Sequence, residues 1–201
     1  MKKALLAIAF FLCLSGACLA GIDSLVIDDF EGPVSGGPEG TVDFGAGNGS
    51  SVQVSAEKGI KYAGVQSLKV DYDAVNGGYI YVAKGQGLDA KNAGWLVSPE
   101  AIDWADYQSI GFDMFGTGSG AKLAFDVKDS GNELWRFEFE DNSQGWREVI
   151  CPFKEFSCRS DWQPETADKN GAMNFPLKSY QFEPLPEAKG TLYFDEVRLT
   201  K

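Results

Sequence analysis

The sequence predicts an all-β chain folded as a jelly-roll β-sandwich of two antiparallel sheets. Three observations predict it. Apolar residues come in short alternating runs, clusters of Gly, Asn, Asp and Pro separate those runs at turn spacing, and no segment keeps a helical period. Nine runs read as strands: residues 25–30, 67–72, 79–83, 109–115, 122–127, 134–139, 147–151, 179–182 and 192–199. The period of two is plainest where Leu123, Phe125 and Val127 share one face, and where Trp135, Phe137 and Phe139 oppose Arg136, Glu138 and Glu140. Short strands without crossover helices pair antiparallel, and their alternation buries one face of each sheet. Residues 91–106 have room for a turn or two of helix, since Ser98-Pro99-Glu100 has the form of a start signal. Residues 36–50 are rich in Gly and poor in bulky side chains, and read as a long mobile loop. Gly116-Thr117-Gly118-Ser119-Gly120 lies between two strands and precedes no helix, so it reads as a turn rather than a phosphate loop.

Residues 1–20 have the form of a signal peptide: Lys2 and Lys3, an apolar run over 4–14, then small residues up to Ala20. The run is shorter than the ~20 residues that cross a bilayer. Cleavage after Ala20 leaves residues 21–201 as one domain, exported to the periplasm, the cell surface or the medium. A lipid anchor on Cys18 is the alternative, against which Leu14 stands one place too early for a lipoprotein motif. Loss of Lys2 and Lys3 moves the net charge from −11 to −13. Such a surface repels nucleic acid and anionic membranes, and suits a neutral ligand or a cation. Cleavage also removes Cys13 and Cys18. The remaining pair, Cys151 and Cys158, reads as a disulfide closing a short loop, as expected of an even pair in an exported protein.

The chain has no histidine, which excludes Ser-His-Asp and Cys-His nucleophilic sites and every imidazole metal site. Two-carboxylate glycosidase chemistry needs none, but no acid stands in an apolar setting that would raise its pKa. The most informative stretch is residues 151–164, which ends in Arg159, Asp161, Trp162, Gln163 and Pro164. A sugar ring packs its C–H groups on an aromatic face while its hydroxyls take hydrogen bonds from bidentate side chains such as Arg and Asp. Trp162 lies in polar company outside any alternating run and is expected at the surface, whereas Trp104, Trp135 and Trp146 are expected in the core and Trp95 is left open. Tyr79 and Tyr81 share a strand face just after Gly77-Gly78 and are expected to face ligand. Arg136 and Glu138 either line the same groove or pair with each other.

Several pieces, taken in order, resemble the family 11 carbohydrate-binding modules, which are galactose-binding-like β-jelly rolls. They are residues 27–32 (Ile-Asp-Asp-Phe-Glu-Gly), 109–114, 146–156 around Pro152-Phe153, and the closing run 192–199. The resemblance spans residues 25–199 and implies a non-catalytic protein that binds a β-glucan-type polysaccharide on a concave sheet face. It places Arg159, Asp161, Trp162 and Tyr79 at the ligand, with Trp162 standing where the family has tyrosine; Gln163, in the same run, and Tyr81, on the Tyr79 strand face, are expected to join them. It departs from the family at Lys178, Gln181 and Pro184, where an Asp, a His and a Tyr are usual, which points to a different glycan or weaker binding. The resemblance further implies a structural calcium held by Asp29, Glu31 and Asp195, hard oxygen donors of the kind calcium needs. Two other readings stand beside this one: a self-assembling surface or sheath protein built on the same jelly roll, and a glycoside hydrolase.

Overall fold

Alternation sorts the chain into two layers. The computed structural model describes residues 24–201; the expected leader over residues 1–20 and the alternative anchor at Cys18 lie outside the described residues. Twelve strands follow in order: β1 (Ser24–Asp28), β2 (Asp43–Gly47), β3 (Ser51–Glu57), β4 (Ser67–Ala74), β5 (Tyr79–Gly85), β6 (Ser109–Thr117), β7 (Lys122–Lys128), β8 (Leu134–Glu140), β9 (Gln144–Pro152), β10 (Ser157–Cys158), β11 (Ser179–Pro184) and β12 (Ala188–Thr200). A back sheet runs β3-β4-β12-β6-β9, with β1 also paired to β12, and a front sheet runs β10-β8-β7-β11-β5-β2. Every strand pairing among the described residues is antiparallel. The remaining regular structure among the described residues is three single 3-10 turns, Pro99–Ala101, Trp104–Asp106 and Phe153–Glu155, the first two within the stretch expected to hold a helical turn.

The core lies between the inward faces of the sheets. Leu68, Val70, Ile110, Phe112, Met114, Leu192 and Phe194 come from the back sheet, and Ile80, Val82, Leu123, Phe125, Val127, Tyr180 and Phe182 from the front, all buried. Phe182 stacks on Phe194 with ring centroids 3.8 Å apart, and Phe112 meets Phe125 at 4.8 Å, so aromatic contacts join the layers at the centre. Burying each such side chain contributes roughly 1.5–3 kcal/mol. Trp104 and Trp135 are buried as expected. Trp146 is half-buried on the outer side of the back sheet, edge-on to Tyr62 and Phe115. Trp95, left open by the sequence, stacks on buried Tyr180 at 5.9 Å.

Three expectations are corrected. The first is the loop over residues 36–50, which contains strand β2. Its glycines have a packing cause: a Cβ on Gly45 would come within 2.9 Å of the Tyr81 ring, and one on Gly47 within 2.4 Å of the Tyr79 ring, so both tyrosines lie flat across β2. Second, β3 escaped notice because it is a half-buried edge strand whose Ser, Gln and Glu dilute the alternation. Third, Cys151 and Cys158 are free thiols. Cys151 ends β9 and packs in the core on the back sheet, whereas Cys158 lies in β10 beside Trp135 of the front sheet, with its sulfur turned toward Glu133 and Gln163. The pair brackets a crossing between layers, and the crossing separates the two sulfurs.

Carboxylates hold the loops. Asp141, fully buried, accepts the backbone N–H groups of Thr117, Gly118 and Ser119 and the hydroxyls of Thr117 and Ser119, which fixes the Gly-rich turn between β6 and β7. Burial acts to raise its pKa, and the hydrogen bonds from Ser119 and Thr117 outweigh it, so the carboxyl titrates below its ordinary range. A folded pKa below the unfolded one means that this stabilisation is complete above the ordinary value of 3.8 and disappears as pH falls through the folded value. Asp141→Ala, which strips five donors of their acceptor, is expected to lower stability by about 3 kcal/mol in urea denaturation, with the difference from wild type shrinking as pH falls below 3.8.

Candidate functional site

The outer face of the front sheet collects the residues that the sequence singled out. In β5, Ile80 and Val82 point into the core, so Tyr79 and Tyr81 point out; Tyr79 is 54 % exposed and Tyr81 half-buried. In β7 the same phase puts Ala124 and Asp126 outward beside Glu138 and Arg136 of β8, and in β11 it puts Gln181 and Glu183 outward. Ala124 and Asp126 are nonetheless buried, because the guanidinium groups of Arg136 and Arg159 lie across them.

These charges form one network. Arg136 donates from Nε and Nη2 to the two oxygens of Asp126, each at 2.9 Å, and from Nη2 also to Glu183. Arg159 donates from Nη1 to Asp126 and to Glu183, both at 2.8 Å, and from Nε and Nη2 to the two oxygens of Asp161 at 3.1 and 2.8 Å. Gln181 donates its side-chain amide to Glu183. The Arg159 side chain is only 9 % exposed while that of Asp161 is 59 % exposed, so the guanidinium lies in the floor and presents the carboxylate above it. Hydrogen bonding to Arg159 holds the Asp161 carboxyl down at about 2, and Arg159 in turn keeps its proton more firmly than a free guanidinium, against a burial that opposes the charge. Burial pushes the Glu183 carboxyl up to about 7, helped by the Asp126 charge and opposed by both arginines.

Trp162 lies beyond this network, outside every strand and 58 % exposed, as expected. Gln163 does different work. Its amide oxygen accepts Leu134 N–H at 2.7 Å and its nitrogen donates to the carbonyls of Leu134 and Arg159, both at 2.9 Å, so it continues the ladder where β10 ends and clamps the Trp162 segment to β8. Buried Asp129 and Glu133 hold the rest of that segment, Asp129 accepting Asn174 N–H and Trp135 Nε1–H and Glu133 accepting Gly171 N–H. Arg136 pairs with Asp126 and Glu183, and Glu138 stands exposed beside it. Lys178 donates to the Asn132 side chain at 2.8 Å. Sequence reading missed Asp126 and Glu183. Each is an acid in the outward phase of an otherwise apolar strand, a signal that was present, but which acid meets which arginine depends on strand register.

The acids expected to bind calcium gather around another loop. Asp195, 1 % exposed, occupies a bulge of β12 where the flanking strand changes from β4 to β1, and accepts Tyr62 N–H at 2.9 Å, Ala63 N–H at 3.2 Å and Glu196 N–H at 3.0 Å. Glu31 accepts the N–H groups of Val65 and Gln66, and Asp29 that of Glu31. Burial pushes the Asp195 carboxyl up to about 6 in spite of those donors. Among the described residues no three His, Cys, Asp or Glu side chains converge closely enough to hold a metal ion. The donors are of the right hardness, but this arrangement spends them on amides and does not fit a preformed cation site. Thermal unfolding in a calcium chelator is therefore expected to match unfolding in added calcium; a melting point several degrees higher with the ion would show that Asp29, Glu31 and Asp195 rearrange around it.

A family model described as a carbohydrate binding domain of family 11 matches residues 19–201. A solved family 11 carbohydrate-binding module from Clostridium thermocellum, in complex with a β-1,3-1,4-mixed-linked tetrasaccharide, superposes with a TM-score of 0.67 at 22 % identity, covering 88 % of this chain and 95 % of that one. The family 30 module of a cellulosomal cellulase from the same organism gives 0.60 at 13 % identity, covering 89 % and 97 %. Among curated sequences, Endoglucanase H of Acetivibrio thermocellus is 24 % identical over 182 residues, 87 % of this chain, which spans only 18 % of that protein's length.

Proposed function

The chain belongs to the family 11 carbohydrate-binding domains, and we propose that it is an exported, non-catalytic protein that holds a β-glucan-type polysaccharide across the outer face of its front sheet. What supports this reading is that Tyr79 and Tyr81 share the outward phase of the sheet face that carries the Arg136–Arg159–Asp161 network, with exposed Trp162 next to Asp161 in the chain. Trp162 offers the stacking surface at one side, Asp161 offers acceptors fixed by Arg159, and Tyr79 and Tyr81 line β5 on the other side. β8 and β5 are three strand spacings apart in the sheet order, about 14 Å. That is a platform for an oligosaccharide chain rather than one ring. The solved relative with a bound mixed-linked tetrasaccharide supports the choice of ligand.

The acids of this face are poorly placed for hydrolysis. Asp126 is fully buried under two guanidinium groups and Asp161 titrates far below the range of a general acid; Glu183, which burial raises to about 7 against the expectation from sequence, is 11 % exposed and held by the same two guanidinium groups. Each carboxylate is an acceptor held in place, which serves recognition. Export rests on the form of residues 1–20 alone.

Calorimetric titration with soluble mixed-linked β-glucan tests the proposal. Wild type is expected to bind and to release no reducing sugar. Trp162→Ala and Tyr79→Ala should each weaken binding about tenfold or more; melting is unchanged in Trp162→Ala, whose ring is exposed, and slightly lowered in Tyr79→Ala, whose ring lies across Gly47 of β2. Unaltered affinity in both variants would move the ligand off this face.

A further inference from the structure

The charges on the outer face do not balance. Two guanidinium groups, Arg136 and Arg159, meet three carboxylates, Asp126, Asp161 and Glu183. Of the five N–H donors that each guanidinium carries, Arg159 spends four on these acids and Arg136 three. The Arg136 donors left over, on Nη1, look toward Asp161 Oδ2 at 3.9 Å. The only network member that extends well into solvent is itself an acid, Asp161. Glu183 tips this balance. Asp126, beneath both arginines, pairs with them one charge for two, and Asp161 supplies the second; Glu183 adds a third negative charge and takes one donor from each arginine.

Resting on the glycan-binding reading above, we propose that Glu183 is the specificity-determining residue of this face: by occupying donors of both Arg136 and Arg159 it leaves acceptors outward, so the face takes polysaccharides whose hydroxyls donate and rejects those carrying uronate or other anionic groups. A neutral pyranose hydroxyl satisfies a carboxylate acceptor by donating to it. A uronate carboxylate cannot, and it meets a surplus negative charge, with four of the five Arg159 donors taken and the remaining Arg136 pair on Nη1 turned toward Asp161. Removing the Glu183 charge leaves one oxygen to accept, so the arginine donor that faces the other position is freed, and it brings the network to two charges of each sign. The same state arises by protonation. The charged groups that face Glu183 are Asp126 from β7, Arg136 from β8, and Arg159 from the segment after β10, with Asp161 joined to it through Arg159. Tyr81 runs beside it on β5, one step beyond the Phe182–Val82 pair, and Glu138 stands two strands away. Since burial and Asp126 raise the Glu183 carboxyl to about 7, acidification acts on it before it reaches Asp161, held near 2.

The test uses the full chain and two soluble oligosaccharides of the same β-glucan linkage and length, one neutral and one with its primary hydroxyls oxidised to carboxylates, titrated at low salt. At about pH 8 wild type is expected to prefer the neutral ligand by about tenfold or more, and Glu183→Gln, folded as judged by a cooperative melting transition, to narrow that ratio to about threefold or less. At about pH 5.5, where uronate stays ionised, the wild-type ratio should narrow in the same way while that of the variant stays put. A variant that keeps the wild-type ratio, or a wild type that binds both ligands alike, overturns the assignment. Should Glu183→Gln fail to fold, the wild-type ratio at the two pH values decides alone: an unchanged ratio overturns it. Wild type binding neither ligand removes the proposed function and this inference with it, whereas binding of both alike removes only the inference.

Discussion

A carboxylate accepting main-chain N–H groups is the interaction on which this structure most depends. A sandwich of short strands has much irregular backbone, and each amide in it that leaves water needs an acceptor. Strand ladders serve only the strands. Here Asp28 serves Phe30, Glu31 serves Val65 and Gln66, Asp195 serves Tyr62 and Ala63, Asp141 serves residues 117–119, and Asp129 and Glu133 serve Asn174 and Gly171. A charged acceptor binds an N–H about twice as strongly as a neutral one, so one buried acid can fix a turn that glycines leave soft. Much of the acidic excess thereby has an internal use, and buried aspartates are compatible with a stable fold because several donors converge on each.

The binding face applies the same chemistry with guanidinium in place of amide. Asp126 and Glu183 fix Arg136 and Arg159, and Arg159 fixes Asp161, so each exposed group stands on a buried one. The Trp162 segment is likewise tied at both ends, through the Gln163 clamp on Leu134 and the Asp129 and Glu133 contacts downstream. A side chain already held by its neighbours loses little freedom when ligand arrives, which leaves more of the contact energy as affinity.

The nine alternating runs were legible because burial on one face of a sheet imposes a period of two whatever the partner strand. Strand β2 was not legible, since its glycines answer to Tyr79 and Tyr81 across the sheet rather than to any local rule. Strand β10 is two residues long and exists only as a partner for Trp135 and Arg136. At the site, the exposure of Trp162 followed from its polar surroundings, and the outward phase of Tyr79 from alternation. The inward turn of Arg159 did not, because it depends on Asp126 and Glu183, which approach from β7 and β11, 33 and 24 residues away in the chain. The expected disulfide failed for a related reason: a separation of seven positions between cysteines says nothing about a crossing between sheets.

Pairing the charges in advance also decides what kind of ligand the face can hold economically. A free guanidinium or carboxylate must shed its water before it meets a sugar, and that desolvation offsets most of the hydrogen bond it then makes. Arg136, Arg159, Asp126 and Glu183 have already lost their water to one another on folding. An arriving glycan therefore has to dehydrate only Asp161, the tyrosine hydroxyls and its own hydroxyl groups, while the apolar faces of its rings cover Trp162 and Tyr79. On the proposed reading stacking would supply the affinity and the fixed acceptors the orientation, a division of labour suited to an uncharged glycan.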